Sequence, residues 1–412
     1  MLDAVRAGAT LQGARDGALG NLIERDRRLA YELAAGVLRR RAQLDRLLEL
    51  ATADPRLHDV LRLGAYQLRA LARVPAYAAV STSVELAREM AGEGGARFVN
   101  QALRKLASSG SGEREAVPSH PHWLLVRWRA HFGADETARL VAWNDSKPPL
   151  TLQPARWSLD QLRARLTEAG LGVREAPMGV GLQVSAAGTA PRSPLPDQLP
   201  GFREGAFIVQ DPTHALVCRY AAIPPGTVVY DGCAAPGGKA VTLERGGARV
   251  MAGDARRERV GRLVETARRA GVAIRVAVAD LLAAPFRPQS LAAVLVDAPC
   301  SATGTMARHP DARWRVTPRT IGRAAERQRA LVAAAAALIR PGGLLVYATC
   351  SLEPEENGDI VTEFLAHHPE FARVPAEGAV PAALLTSAGD FQSLPQRHGT
   401  DGAYAARLAR VR

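Results

Sequence analysis

The sequence contains very little lysine. Of its 53 basic residues, only Lys105, Lys147 and Lys239 are lysines. Arginine and alanine are abundant, which indicates a compositional bias of the source genome. Lys239 lies in a glycine-rich loop, and we expect that arginine cannot replace it there. An ammonium group is a compact point charge, whereas a guanidinium group is a wide planar fork.

Long apolar segments are also missing from the sequence. The longest apolar run near a helical pattern, LVAAAAALI at residues 331–339, has nine residues, whereas a membrane-spanning helix needs about 20. The first ten residues, MLDAVRAGAT, contain no apolar signal region. These observations predict a cytoplasmic protein with no membrane partner.

Cysteine is scarce as well, and the four cysteines are Cys218, Cys233, Cys300 and Cys350. No pair is spaced as CxxC, so we expect no zinc site, and no other metal is expected. Nothing in the sequence indicates export, which argues against a disulfide framework. A single cysteine is most often a small buried hydrophobic residue. A function for these thiols must therefore be argued from their surroundings.

Length and charge limit the class of protein. With 412 residues the chain is expected to form two or three domains, and 47% hydrophobic residues are enough to build folded cores. The net charge of +12 suits a polyanionic partner such as nucleic acid. Many basic proteins bind no nucleic acid, so charge alone does not assign a function.

The chain changes character along its length. In residues 1–140, apolar residues recur at steps of three and four, which predicts an all-helical domain. A linker rich in Ser, Gly and Pro is predicted at Ser108–Pro121. Residues 146–218 combine strand and helix patterns and predict a small α/β module. Residues 219–412 alternate short apolar strands with helices, which predicts a buried, mainly parallel sheet covered on both faces.

Polar residues end each of the five predicted strands of the last domain. The strands read TVVY, ARVMAG, AIRVAVA, LAAVLV and GLLVYA. The residues at their ends are Asp231, Asp254, Asp280, Asp297 and Cys350. In a sheet of this kind ligands bind outside the carboxyl ends of the strands. Five such residues at one rim therefore indicate a functional site.

The segment DGCAAPGGKA follows the first of these strands and predicts a cofactor loop. Its glycines allow close approach of the backbone to a ligand, and its N–H groups can hydrogen-bond polar atoms. Asp254 can accept hydrogen bonds from both hydroxyls of a ribose, and Asp280 can accept one from an adenine amino group. Together they predict an adenosine-containing cofactor. The alternative is that both aspartates only cap helices.

Two thiols and an acid are expected to share one cleft. The strands that precede Cys300 and Cys350 are predicted neighbours, and Asp297 ends the first of them. A helix predicted directly after Cys350 would lower the pKa of that thiol and make it a stronger nucleophile. A thiolate and an acid suit addition to carbon 6 of a cytosine, after which carbon 5 can attack an activated methyl group. His309 follows a different strand, so a Cys-His hydrolase has little support.

Three segments carry a resemblance to a known family. DGCAAPGGKA, LVDAPCSATGTMARHPDARW and YATCSLEPEENGDIV are similar to the motifs of the RsmB/NOL/NSUN family of S-adenosylmethionine-dependent RNA 5-methylcytosine methyltransferases. Residues 1–140 resemble the NusB-like RNA-binding domain. The resemblance implies an all-α NusB-like domain, a ferredoxin- or RRM-like α/β module and a Rossmann-like class I methyltransferase domain. It also implies methylation of a cytosine in 16S ribosomal RNA by a monomer.

The resemblance assigns roles to individual residues. Cys350 would be the covalent nucleophile, Cys300 would assist release of the methylated RNA, and Asp297 would contact the base, with Lys239 as a further catalytic residue. The implied S-adenosylmethionine-binding residues are Cys233, Ala234, Ala235, Pro236, Gly237, Gly238, Lys239, Asp254, Asp280 and Asp297. Cys218 matches no motif and is expected in the core.

Other functions are weighed against this one. The same cofactor could serve a transfer RNA or protein substrate, although methylation of an amine or a carboxylate needs no nucleophilic thiol. A binding protein with a lapsed catalytic domain is a third hypothesis, yet all the thiols and cofactor acids are present. Arg308 and His309 either touch RNA or lie in a solvated loop, and the sequence favours neither.

Overall fold

The computed structural model describes residues 1–48, 54–109, 119–186, 195–376 and 378–411. The chain divides into two compact units, which are Met1–Lys147 with Met306–Arg315, and Pro148–Thr305 with Val316–Arg412. Most of the linker predicted at Ser108–Pro121 falls on residues 110–118, outside the described residues. Of the helices in the described ranges, none is both long and apolar enough to cross a membrane.

The first unit is helical, as predicted. Its helices α1 to α7 span Leu2–Arg6, Leu11–Leu19, Glu24–Leu48, Pro55–Ala70, Ala76–Ser108, His122–Phe132 and Ala134–Asp145. Pro75 precedes α5 in extended backbone and separates it from α4, since proline disfavours continuation of a helix. Helices α3, α4 and α5 share a core that includes Val37, Leu61, Val99 and Leu103.

A segment from the second half of the sequence completes the first unit. Arg313 of this segment is fully buried. Its guanidinium donates to the backbone carbonyls of Arg39 and Ser119 at 3.0 and 3.3 Å, and to the carboxylate of Asp145 at 2.6 Å. A buried charge is stable only when it is paired and hydrogen-bonded, so these acceptors explain why the arginine is tolerated there.

The small α/β module follows. Its elements are β1 Leu150–Pro154, α8 Leu159–Glu168, β2 Gly172–Glu175, β3 Leu182–Ser185 and β4 Phe207–Val209. The strands form an antiparallel sheet in the order β2-β3-β1-β4. Helix α8 begins at a capping box between Ser158 and Gln161. The mixture of strands and a helix agrees with the α/β character predicted for this part of the chain.

The remaining elements form a larger sheet flanked by helices. Helices α9 to α15 span Pro212–Ala221, Gly238–Arg245, Arg257–Ala270, Ala312–Arg315, Pro318–Leu338, Gly358–His367 and Pro395–His398. Strands β5 to β12 span Val228–Asp231, Arg249–Asp254, Arg275–Val278, Leu291–Asp297, Ile339–Thr349, Phe371–Arg373, Phe391–Ser393 and Ala403–Arg410. The strand order is β10-β12-β9-β8-β5-β6-β7, and β11 pairs with β12.

The five predicted strands are β5 to β9, and neighbouring members of this group pair in parallel. Strand β12 was not predicted, and it joins β9 in antiparallel register. The middle of the sheet is fully buried at Val229, Val294 and Val346. Burial on both faces explains the continuous apolar runs. The parallel arrangement also brings the carboxyl ends of β5 to β9 to one edge.

Candidate active site

The loop after β5 is shaped by its glycines. Gly237 has φ of +105°, and a Cβ atom there would lie 2.7 Å from Cδ1 of Leu263. A Cβ atom at Gly232 would lie 2.9 Å from Leu281. A side chain at Gly237 would be strained by this φ, and at either position a neighbouring leucine side chain would have to shift. The loop then enters α10 at Gly238.

An unpaired acceptor lies beside this loop. Asp231 ends β5 and is fully buried. Its Oδ1 accepts from the N–H of Cys233 at 3.4 Å, while Oδ2 has no hydrogen-bond partner among the described residues. Burial, with the charge of Asp297 second, raises the pKa of Asp231 to about 7. A free buried acceptor next to a glycine cradle fits a polar cofactor that brings its own donors.

The two predicted cofactor aspartates also hold backbone turns. Asp254 ends β6, where its Oδ1 accepts from the N–H of Arg256 at 3.0 Å and its Oδ2 lies 3.3 Å from the guanidinium of Arg259. Asp280 is exposed and accepts from the N–H of Leu282 at 3.0 Å. It follows β7 by two residues rather than ending it. Asp280 thus caps the 3-10 turn Leu281–Ala283, whereas Asp254 holds a turn before α11 without capping that helix. The ribose and adenine contacts stay predictions.

Lys239, in the first turn of α10, forms an ion pair with Asp297 at the end of β8. The ammonium donates to Oδ2 of Asp297 at 2.7 Å, and the Lys239 side chain is only 8% exposed. Burial alone would lower the pKa of Lys239, but the Asp297 carboxylate outweighs burial, and the pKa is raised. The lysine is therefore charged at neutral pH beside the rim of the sheet.

Sequence reasoning missed His214. Its Nδ1 lies 2.8 Å from the Lys239 ammonium, so the neutral ring accepts a hydrogen bond there. His214 belongs to the first turn of α9, which begins after the capping residue Asp211. A histidine in a helical turn carries no spacing signal toward a lysine 25 residues later, and only the fold brings the two together.

The two thiols meet, as predicted from the neighbouring strands. The Sγ atoms of Cys300 and Cys350 lie 3.2 Å apart, and strands β8 and β9 are paired in parallel. The hydrogen bond to Cys350, followed by burial, raises the pKa of Cys300 well above its usual value. Cys300 is therefore a poor nucleophile at neutral pH.

The prediction that a helix begins directly after Cys350 is wrong. An irregular stretch and a 3-10 turn at Pro354–Glu356 come first, and α14 begins only at Gly358. Asn357 has φ of −121° and ψ of −108°, and its amide donates to the carbonyl of Ser351 at 2.9 Å. These inward hydrogen bonds prevent a regular helix, so the N-terminus of α14 does not lie at the thiol.

The other two cysteines have different surroundings. Cys218 lies in the core, as expected, and burial raises its pKa to about 12. Cys233 is half-buried in the glycine loop, where burial also raises its pKa to about 12. Thiols this weakly acidic are poor nucleophiles at neutral pH. Arg308 is half-buried and His309 is exposed, both in the segment that packs with the helical unit.

The described residues include no set of metal ligands. In the part of the chain that the structure describes, no group of three or more histidine, cysteine, aspartate and glutamate side chains is placed to hold a metal ion. The groups at the rim are instead two thiols, a lysine–aspartate pair and a glycine loop. Such a site can form and release a covalent bond to an electrophilic ring.

Three family descriptions match the chain. Residues 222–409 match the 16S rRNA methyltransferase RsmB/F family, residues 3–108 match the NusB family, and residues 120–189 match the ferredoxin-like domain of RsmF/B-like methyltransferases. The predicted fold classes are thereby confirmed: a NusB-like helical domain, a ferredoxin-like module and a methyltransferase domain.

The chain is also similar to curated sequence relatives and to solved structures. The probable ribosomal RNA small subunit methyltransferase B of Synechocystis is 34% identical over 94% of this chain and 92% of its own length. The ribosomal RNA small subunit methyltransferase B of Klebsiella pneumoniae is 34% identical over 94% and 91%. The crystal structure of PH0851 has a TM-score of 0.78 at 24% identity and covers 94% of this chain and 91% of that one. NSun6 from Pyrococcus horikoshii, solved with SFG, has a TM-score of 0.60 at 20% identity over 71% and 98%.

The identity to these relatives holds across nearly the whole chain rather than in one domain. It covers the helical domain, the ferredoxin-like module and both cysteine-containing segments together. The chain therefore belongs to the RsmB/F family of ribosomal RNA small subunit methyltransferases.

Proposed function

We propose that this protein transfers a methyl group from S-adenosylmethionine to carbon 5 of a cytosine in 16S ribosomal RNA, through a covalent adduct between Cys350 and the base. The observation that carries the proposal is the pair of thiols, Cys300 and Cys350, 3.2 Å apart beside the Lys239–Asp297 ion pair. Methylation of an oxygen or an exocyclic amine would need no thiol. Two thiols at one rim suit a reaction that forms a carbon–sulfur bond and later breaks it.

The chemistry follows from the weakness of carbon 5 as a nucleophile. Attack of the Cys350 thiolate on carbon 6 converts the ring into an enamine, whose carbon 5 is electron-rich. S-adenosylmethionine, when bound, supplies an electrophilic methyl group. Removal of the proton from carbon 5 then restores the double bond and expels the Cys350 thiolate. Cys300 is the partner proposed for this release: its thiol gives a proton to the departing Cys350 sulfur, and the Cys300 thiolate that results accepts the proton from carbon 5.

Lys239 and Asp297 are proposed to bind the base. The carboxylate of Asp297 ends β8 and is about one-third exposed, with a side-chain exposure of 32%. It can accept from the amino group of cytosine while Lys239 holds it in place and supplies a positive charge. That charge stabilises the negative charge that develops on the ring as the Cys350 thiolate adds to carbon 6, and so it assists the attack.

The cofactor is proposed to lie along the glycine loop. Residues 233–239 would supply backbone N–H groups, Asp254 the ribose acceptor and Asp280 the adenine acceptor, with Asp297 close to the methyl group. The free Oδ2 of Asp231 adds an acceptor that sequence reasoning did not assign. The related fold of NSun6 was solved with SFG, an analogue of S-adenosylmethionine.

RNA affinity is assigned mainly to the helical domain. The proposed domain boundaries are 1–140, 146–218 and 219–412, and the proposed form is a cytoplasmic monomer. A net charge of +12 favours contacts to RNA phosphates, and binding that rests on such contacts weakens as salt rises. Phosphate contacts position an RNA, whereas the catalytic rim would select the base.

Bisulfite sequencing of 16S ribosomal RNA from a strain lacking the gene tests this proposal. We expect the loss of a single 5-methylcytosine, restored by a wild-type copy and not by a Cys350→Ala copy. Unchanged methylation of the small-subunit RNA would overturn the assignment of substrate. Loss of a methylcytosine from a transfer RNA instead would keep the chemistry and change the target.

A further inference from the structure

Each of the two active-site cysteines is followed directly by a serine. The hydroxyl groups of Ser301 and Ser351 both donate to the same oxygen, Oε2 of Glu356. Glu356 is fully buried. It lies five residues after Ser351 but 55 residues after Ser301. One carboxylate thus joins the two loops that present the thiols.

The hydrogen-bonding capacity of this carboxylate is filled. Besides the two hydroxyls, Oε1 accepts from the N–H of Ser301 at 2.8 Å and from the amide of Gln328 at 3.1 Å. A carboxylate has about four acceptor sites, and here four donors occupy them. Burial raises the pKa of Glu356, and the serine hydroxyls oppose that shift. Four donors and no acceptor mean that the ionised form is the one that fits this site.

Further bonds between the same two loops converge near Glu356. The hydroxyl of Thr303 accepts from the N–H of Leu352 at 2.8 Å, and the N–H of Gly304 donates to the carbonyl of Cys350 at 3.0 Å. These bonds hold the backbone, while Glu356 holds the residue next to each thiol. The 3.2 Å distance between the Sγ atoms depends on both loops being fixed.

The charge of Glu356 also acts on Cys300. After the bond to Cys350 and burial, the charges of Cys350 and Glu356 raise the pKa of the Cys300 thiol further. The other titratable groups that act nearby are Tyr347 of β9, on the Cys300 side, and Lys239 of α10, which interacts with Cys350. Of these fixed groups, Glu356 alone brings a negative charge to Cys300.

We propose that Glu356 is a positioning residue that aligns the two cysteine loops, and that its buried negative charge opposes a second negative charge on Cys300. Glu356 touches neither base nor cofactor and acts through Ser301 and Ser351. The division of labour between the thiols would then be set by this carboxylate. The roles named here rest on the proposed function, but the alignment of the loops and the effect of the Glu356 charge on Cys300 are properties of the free protein.

The test of charge is the pH dependence of alkylation. Full-length wild type and Glu356→Gln are treated with iodoacetamide between pH 7 and 10, and the Cys300 and Cys350 peptides are quantified separately by mass spectrometry. We expect the rate of Cys300 to rise at lower pH in Glu356→Gln, with about tenfold faster reaction at pH 8 if the pKa falls by one unit. An unmoved pH profile for Cys300 would overturn the electrostatic part, because mere loosening raises the rate at every pH. Asp359→Asn, an equal change of charge at an exposed position of α14, is expected to match the wild type.

A second variant tests alignment and keeps the charge. Ser351→Ala removes one hydrogen bond to Glu356, and we expect diamide to close a Cys300–Cys350 disulfide about tenfold more slowly, because the Cys350 loop loses a hydrogen bond to a charged group. Closure at the wild-type rate in Ser351→Ala would contradict the positioning role. This test remains decisive even if Glu356→Gln does not fold. Neither assay uses RNA. Failure to methylate ribosomal RNA would therefore overturn the proposed function and leave this inference standing.

Discussion

The Sγ atoms of Cys300 and Cys350 lie 3.2 Å apart, although 50 residues separate the two cysteines in the sequence. They meet because β8 and β9 are parallel neighbours, and each thiol follows the carboxyl end of its strand. At this distance one thiol can donate a hydrogen bond to the other. A reaction with two thiol-dependent stages is the chemistry that such a pair serves best.

The first prediction separates the roles of these two thiols. With S-adenosylmethionine and a 16S RNA fragment, Cys300→Ala should accumulate a covalent protein–RNA adduct that migrates slowly on a denaturing gel. Cys350→Ala should form none, because the attacking atom is gone. We expect Cys350→Ala to lose about a million-fold in turnover, the order of loss seen when a catalytic nucleophile is removed.

Cys218→Ala is the matched control for these variants. Cys218 lies in the core with a pKa near 12, so its removal should leave adduct formation and turnover close to those of the wild type. If Cys300→Ala and Cys350→Ala both methylate the RNA at the normal rate, the covalent mechanism is wrong.

The second prediction concerns the buried lysine. Lys239→Arg should lower kcat/KM by about 100-fold, because a guanidinium does not fit between Asp297 and His214 without moving the carboxylate, and a displacement of about 1 Å at a reacting centre has this effect. The measurement is the rate of methyl transfer with labelled S-adenosylmethionine. Lys147→Arg, at a side chain that is 62% exposed, should leave the rate unchanged. Normal activity of Lys239→Arg would show that only the charge matters there.

The third prediction distinguishes the two roles open to Asp254. Asparagine still accepts the hydrogen bond from the N–H of Arg256, so Asp254→Asn keeps the turn. It removes the charged acceptor for two ribose hydroxyls, and we expect the Kd for S-adenosylmethionine to rise about tenfold to 100-fold. Calorimetric titration measures this. An unchanged Kd with an unchanged Tm would leave Asp254 with only its role in the turn before α11.

Much of this site was open to prediction from the sequence. The apolar runs located β5 to β9, and a parallel sheet places their carboxyl ends at one edge. Asp231, Asp254, Asp297 and Cys350 were therefore expected together, and the structure has them there. These residues could be predicted because buried parallel strands appear in the sequence as short continuous apolar runs that alternate with helical patterns.

Other features depended on distant partners and were not predictable in this way. The segment after Cys350 has the composition of a helix start, yet Glu356 turns inward to hydrogen-bond with Ser301, and regular helix begins only at Gly358. His214 reaches Lys239 because α9 packs on α10. Strand β12 reads as a mixed segment, and its antiparallel pairing with β9 is set by tertiary contacts rather than by periodicity.

The fourth prediction is a pH-dependent gain in stability from Asp231→Asn. The pKa of Asp231 is raised to about 7 by burial, so between pH 4 and 7 the folded state binds a proton that the unfolded state has lost. This group therefore lowers stability as pH rises through that window. We expect the gain in unfolding free energy of Asp231→Asn to be about 2 kcal/mol larger at pH 8 than at pH 5.5. Urea unfolding at the two pH values measures it, and an equal gain at both would contradict the raised pKa.

The fifth prediction concerns the stability of the helical unit. Arg313→Met removes the donor shared by the carbonyls of Arg39 and Ser119 and leaves the partly buried carboxylate of Asp145 without its cation. Loss of one partner of a buried ion pair costs about 3–5 kcal/mol, and we expect a loss of this size in the urea unfolding of the full-length chain. Arg319→Met, at an exposed position in the first turn of α13, should change stability by less than about 0.5 kcal/mol. A similar small change for Arg313→Met would mean that water or neighbouring groups replace the guanidinium at no cost, and that the buried charge does not hold this segment in the helical unit.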